Sequence, residues 1–231
     1  MNFFKKPVPV LMYHRINQPD PTSSLTVSPE SFAKQIEWLR KNKFRFLSLD
    51  EAIDRGMKIS FWEKAVALTF DDGFHDNYEN AFSLLRERRF PATLFVVVDW
   101  VGKEGYVSWN EIRELNQNGI QIGSHSLTHR WLPEILNDTE LESEIVKSKK
   151  RIEEEIGKEV RHFSYPVGGV DERVAEQVRK AGYRAAWVAG AKPNDIIRSS
   201  LFSIRRLKVS PGDSSLSHFA IKAYGFKSIF F

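Results

Sequence analysis

Short apolar runs alternate with amphipathic stretches from one end of the chain to the other, and that rhythm admits few architectures. Runs at 8–13, 44–47, Ala65–Phe70, 92–98, 120–123, 160–163, 185–188 and 204–209 read as buried parallel strands. Helical patterns separate them. Ser28-Pro29-Glu30 supplies an N-cap followed by proline at the first helical position, and Phe32, Ile36 and Leu39 then recur at helical spacing. Asp50 opens a short helix, Asp76 or Asn77 caps one running to Arg88, and Ser108 caps another that Asn118-Gly119 stops. A long charged helix over 138–155 carries Leu141, Ile145, Ile152 and Ile156 on one face; further helices are expected at 171–181 and 215–224. Seven or eight strand signals with intervening helices predict an α/β fold, a distorted (β/α) barrel of about seven strands. No linker, repeat or low-complexity segment interrupts the pattern, so residues 1–231 are expected to form one domain.

Composition removes several function classes. With 42% hydrophobic residues, 17 Phe and 6 Trp, the chain can build a large core, which excludes a disordered protein. It has no cysteine, so disulfides and thiolate zinc sites are excluded and any metal must be held by His and carboxylates. The net charge of +4 is spread along the chain, with no basic cluster interleaved with aromatics, which argues against a nucleic-acid partner. A solvated basic face is the simplest reading of that excess, although an anionic glycan or a membrane surface would also suit it. The first seven residues hold no apolar run of signal-peptide length, and no stretch approaches the roughly 20 apolar residues of a membrane span. A cytoplasmic location, at most peripheral to the inner membrane, is therefore expected. The aromatic and basic tail 226–231 is expected to dock on the barrel, with contact to a membrane interface as the alternative.

Two clusters carry the chemistry. Thr69-Phe70-Asp71-Asp72-Gly73 holds adjacent carboxylates at the end of a strand, and His125-Ser126-Leu127-Thr128-His129 holds two imidazoles four residues apart, again just after a strand. Adjacent side chains of an extended strand point to opposite faces, so both carboxylates can share a pocket only where the chain turns, which Gly73 permits. Two His and one carboxylate are a common set for catalytic zinc and for other divalent metals, and the spare carboxylate is free to act as a base. Each cluster alone has a plainer explanation: the Asp pair can cap the next helix, and a lone His is usually structural.

Together the clusters resemble the first two motifs of the polysaccharide deacetylase family, the NodB-homology enzymes of carbohydrate esterase family 4. Residues 9–16 (Pro-Val-Leu-Met-Tyr-His-Arg-Ile), Trp109 with Ile112 and Leu115, 119–124, and Phe163-Ser164-Tyr165-Pro166-Val167-Gly168 extend the resemblance to roughly residues 7–210. The resemblance implies a NodB-like barrel and a metal-dependent hydrolase that removes the acetyl group from an N-acetylated sugar in a polysaccharide or lipid-linked glycan precursor. It implies Asp71 as general base, Asp72, His125 and His129 as ligands of a divalent metal with zinc the default, and the Tyr165 N–H as oxyanion donor. The chain departs from the family pattern at Ser164, where an orienting Arg is usual, and no fourth motif is recognisable, although Trp187 lies in the expected region. Arg205 or Arg206 is a candidate replacement for that Arg.

The general acid is read as His14, at the end of an apolar N-terminal strand, in preference to His218, which sits in a polar helical stretch. A strand ending in Tyr-His at the N-terminus resembles the circularly permuted subset of the family. His75 and Asp76 are read as helix caps and His162 as structural; core packing is the default for Trp100, Trp109 and Trp131, of which Trp131 is the best placed for a sugar contact. Removal of an O-acetyl or formyl group, or a noncatalytic carbohydrate-binding protein with a retained metal site, are the rival functions.

Overall fold

The structure is a computed structural model that describes residues 5–20, 22–189 and 200–225; the tail at 226–231 lies outside them. Seven parallel strands close a ring: β1 (Val10–Tyr13), β2 (Ala65–Phe70), β3 (Ala92–Val96), β4 (Ile120–Ser124), β5 (His162–Ser164), β6 (Ala185–Ala189) and β7 (Ile204–Lys208). They follow one another around the barrel in chain order. The ring closes where β1 pairs with β7 on one side (Leu207 with Leu11) and with β2 on the other (Val10 with Ala67 through Tyr13 with Phe70). The eighth strand signal is real but stays outside the ring. Arg45–Leu47 pairs with the first half of β2, whose second half pairs with β3.

Outside the barrel lie α1 (Pro29–Lys41), α2 (Trp109–Gln117), α3 (Asp138–Ile156), α4 (Glu172–Lys180) and α5 (Leu216–Ala223). Ser28, Ser108, Asn137 and Asp171 cap the first four, each side chain accepting from the backbone N–H three residues on. The helical stretch at 75–87 differs from expectation. Its N-cap is Phe74, a π turn occupies Tyr78–Phe82, and Asp76 is a buried first-turn residue that caps nothing. The Asp76 carboxylate accepts instead from Arg15 Nε at 2.9 Å and the Ile16 N–H at 3.0 Å, tying the chain after β1 to the turn after β2.

Strand alternation divides the core into two. Outward residues such as Leu11, Leu68, Leu94, Ile122 and Phe163 join Ile36, Ile112, Ile145 and Val174 of the helices in one large cluster. Burying each such Leu, Ile or Phe contributes on the order of 1.5–3 kcal/mol. The inward set is smaller: Val10, Ala67, Phe95, Ala185 and Trp187 pack with Leu49 and Ile53 of the short helix Leu49–Asp54, which plugs one end. Gly123 is required here, because a Cβ on it would lie 2.4 Å from the Phe95 ring. Toward the strands' C-terminal ends the inward positions become polar, with Asp71, His125, Ser164 and Arg206 all buried. No helix among the described residues is long and apolar enough to cross a membrane.

Candidate active site

Asp71 and Asp72 follow the last residue of β2 directly, so the same turn delivers both, but with different surroundings. The Asp71 N–H still donates to Tyr13 O at 3.0 Å, continuing the β1–β2 ladder and holding its side chain inside the barrel. Asp72 turns away in the left-handed region at φ 72. There its Oδ1 lies 3.4 Å from His125 Nε2 and 3.3 Å from His129 Nε2.

These three residues form a cluster whose ligand atoms all lie within 4.8 Å of one another. Ligands of a tetrahedral zinc bonded at about 2.0–2.1 Å lie about 3.3–3.4 Å apart, which matches the two carboxylate–imidazole spacings. His125 Nδ1 sits 2.7 Å from Ser164 O. A carbonyl only accepts, so Nδ1 carries the hydrogen and Nε2 presents its lone pair to the cluster. Burial disfavours a charge on His125, yet Asp71 and Asp72 outweigh it and hold its pKa above the ordinary value. Burial likewise opposes ionisation of Asp72, but the two imidazoles pull its pKa far down. The pocket is negative and favours a cation, so the donor set fits a divalent metal.

The loop carrying the two imidazoles is strained and pinned. Ser126 and His129 both have φ 67, outside the usual range for residues with a Cβ. The buried Glu144 of α3 accepts from the N–H groups of Leu127 (3.1 Å) and Thr128 (2.9 Å) and from Thr128 Oγ1 (2.6 Å).

Asp71 stands apart from this set, with Oδ2 4.0 Å from His125 Nε2. Arg206 of β7 grips it with two charge-assisted hydrogen bonds of 2.6 Å each, and also donates to Ser164 Oγ at 2.7 Å and Thr69 Oγ1 at 3.1 Å. Burial raises the Asp71 pKa, but the guanidinium outweighs it and keeps the carboxyl ionised below its usual range. A carboxylate has about four lone-pair sites, so the Arg206 fork leaves room for a further proton or donor.

His14 follows β1 at the same end, with its buried Nδ1 lacking a hydrogen-bond partner among the described residues. Burial lowers its pKa, while the charges of Asp71 and Asp72 act to raise it. His218 is not brought to the cluster: it is exposed on α5, with Nδ1 3.3 Å from Gly212 O.

The expectation for Tyr165 needs correction. Its N–H donates to Trp187 O at 3.0 Å, because the β5–β6 ladder runs one residue past Ser164, and so it is not available to an oxyanion. Its ring is buried on the outward side, with the hydroxyl donating to Phe202 O at 2.9 Å. Pro166 has no N–H, so the next amide along the chain belongs to Val167, held in the left-handed region at φ 55.

A family profile described as polysaccharide deacetylase matches residues 58–186, a stretch that contains the Asp pair, both imidazoles and Ser164. The chain belongs to the polysaccharide deacetylase family. Bacillus subtilis YxkH, a polysaccharide deacetylase by name, is 32% identical over 212 residues, covering 90% of this chain and 73% of its own. A Staphylococcus aureus protein named poly-beta-1,6-N-acetyl-D-glucosamine N-deacetylase is 26% identical over 217 residues, covering 87% of this chain and 73% of its own. The structure of IcaB from Ammonifex degensii superposes with a TM-score of 0.78 at 27% identity, covering 94% of this chain and 97% of that one.

This polysaccharide deacetylase is thus a hydrolase of a metalloenzyme family, with an Asp-His-His group that could hold a metal ion. Arg206 and Ser164 together supply the contacts to Asp71, with Arg206 reaching it from 135 residues away. Glu144 was invisible as a site residue, although it and Ser148 are polar positions on the apolar face of α3 marked by Leu141, Ile145 and Ile152. That break in an otherwise apolar stripe was the only sequence signal.

Proposed function

We propose that this deacetylase removes the N-acetyl group from a β-linked N-acetylglucosamine glycan, with zinc held by Asp72, His125 and His129. The separation of the two carboxylates carries this reading: Asp72 faces the imidazoles, and Asp71, which no metal needs, is held ionised beside them by Arg206. When bound, the zinc supplies Lewis-acid polarisation of the amide carbonyl and makes a nearby water more acidic. Asp71 takes the proton of the attacking water. Arg206 fixes its orientation and leaves an oxygen lone pair for that proton. The Val167 N–H takes the oxyanion role first expected of Tyr165. His14, which follows the strand paired with the one that ends at Asp71, delivers a proton to the departing amine. The name of the Staphylococcus aureus relative supports a β-1,6-linked N-acetylglucosamine polymer as the substrate.

The test is acetate release from β-1,6-linked N-acetylglucosamine oligomers by the zinc-loaded protein. Release should stop with a chelator and return when zinc is restored. No release from any N-acetylhexosamine glycan, or release only from O-acetylated sugars, would overturn the assignment.

A further inference from the structure

The end of the barrel that takes no part in the reaction carries a pattern of its own. Lys5–Pro7 leads into β1 and Lys58–Ser60 into β2, and the two segments pair antiparallel as a short ribbon. Both precede their strands, so the ribbon lies at the N-terminal pole, opposite the rim that holds Asp71 and His125. Alternation sorts its side chains. Lys6 and Ile59, paired across the ribbon, are buried, whereas Lys5, Lys58 and Ser60 are exposed.

After Ser60 the chain turns, with the Glu63 N–H donating to Ser60 O at 2.9 Å, and the turn presents two rings to solvent. Phe61 is 38% exposed and Trp62 81%, the most exposed ring among the described residues. They meet edge to face with centroids 5.3 Å apart. Lys6 Nζ lies 6.0 Å from the Phe61 ring and 5.8 Å from the Tyr224 ring, and donates to Tyr224 O at 3.4 Å, so the turn is braced against the chain after α5. Lys64 is exposed, lies 5.9 Å over the same Tyr224 ring and donates to Asn42 O at 3.2 Å, beside the exposed Lys43. The carboxylate of the turn, Glu63, is taken by Arg55 Nη1 at 2.8 Å. Among the described residues Lys5, Lys43, Lys58 and Lys64 form no ion pair.

An exposed tryptophan bordered by unpaired lysines matches the boundary of a bilayer that contains anionic lipid. Indole rings settle between headgroups and acyl chains, and ammonium groups meet lipid phosphates. A soluble polyanion would satisfy the lysines but leave Trp62 and Phe61 in water. The sequence flanking the patch has the same aromatic and basic composition: Phe3-Phe4 precedes Lys5, and Phe226-Lys227-Ser228-Ile229-Phe230-Phe231 follows Gly225. We propose that this pole is an attachment surface for an anionic bilayer, with Trp62 and Phe61 entering the interface and Lys5, Lys58 and Lys64 engaging lipid phosphates. The enzyme then sits on the lipid with its catalytic rim facing away from it. This proposal is independent of which group the site hydrolyses.

The experiment sediments the full chain with vesicles of phosphatidylcholine alone and of equal parts phosphatidylcholine and phosphatidylglycerol. The protein should partition onto the anionic vesicles at least about tenfold more strongly than onto the neutral ones. Trp62→Ser should weaken that partitioning about tenfold, and Lys5→Gln combined with Lys58→Gln about 10–30-fold. Leu136→Ser, at a side chain 87% exposed in the loops that follow β4 at the opposite end, serves as the control and should change nothing. All three sites are exposed, and an unchanged thermal midpoint shows that each variant is folded. Equal partitioning onto both vesicle types, or equal partitioning by the Trp62→Ser and Leu136→Ser variants, overturns the proposal. Retention on heparin without binding to either vesicle would assign the lysines to a soluble polyanion and overturn it as well.

Discussion

Asp71 and Asp72 share a turn and a residue type, and the structure separates their roles through their neighbours. Asp71 and Arg206 are 1% or less exposed and bonded in a fork, so each compensates the cost of burying the other's charge. Removing one partner strands the other. Arg206→Met should lower unfolding stability by about 3–5 kcal/mol in denaturant titration, and Arg206→Met combined with Asp71→Asn should cost less than the sum of the two. A loss below about 1 kcal/mol for Arg206→Met would show that the pair is not the buried clamp described. At this scale the sequence was informative where chemistry is carried by neighbours in the chain, as in the Asp pair and the His pair. It was misleading at Tyr165, because nothing in the letters shows that a ladder extends one residue past Ser164 and consumes that N–H. It reached Arg206 only as one of two candidates, since which Arg of β7 faces inward depends on the register of a strand pair far apart in the chain.

Elements were legible to the extent that their signals were local. The caps at Ser28 and Ser108 stand where their spacing placed them, because a cap needs only residues within one turn. Asp76 failed as a cap because a tertiary partner, Arg15 after β1, claims its carboxylate, and no local pattern reports that. α3 shows the same competition with a functional result. Its Glu144 leaves the charged face for the apolar one in order to accept three hydrogen bonds from the His loop. Glu144→Gln replaces one acceptor oxygen with a donor facing backbone N–H groups, so the loop should loosen and His129 should drift from Asp72. Zinc affinity, measured by competition with a chelator, should fall about 10–100-fold while the helix content by circular dichroism is retained. Unchanged zinc affinity would reduce Glu144 to a packing residue.

The whole molecule explains why a site drawn from distant segments is coherent. Parallel strands running in chain order around a closed ring bring all their C-terminal ends to one rim, so His14 after β1, Asp71 and Asp72 after β2, His125 after β4 and Arg206 within β7 converge without long connections. The barrel itself was readable from the alternation of apolar and amphipathic segments. The closure of β1 between β7 and β2, which brings His14 to the same rim as the carboxylates of the neighbouring strand, depends on pairing that only the folded chain displays. The division of labour between the two carboxylates is the central claim, and zinc titration paired with acetate release on Asp71→Asn and Asp72→Asn tests it most directly. Asp72→Asn should lose zinc binding, whereas Asp71→Asn should bind zinc like the parent protein yet release acetate about 10²–10⁴-fold more slowly. Loss of zinc from Asp71→Asn to the same degree as from Asp72→Asn, or undiminished acetate release by Asp71→Asn, would contradict it.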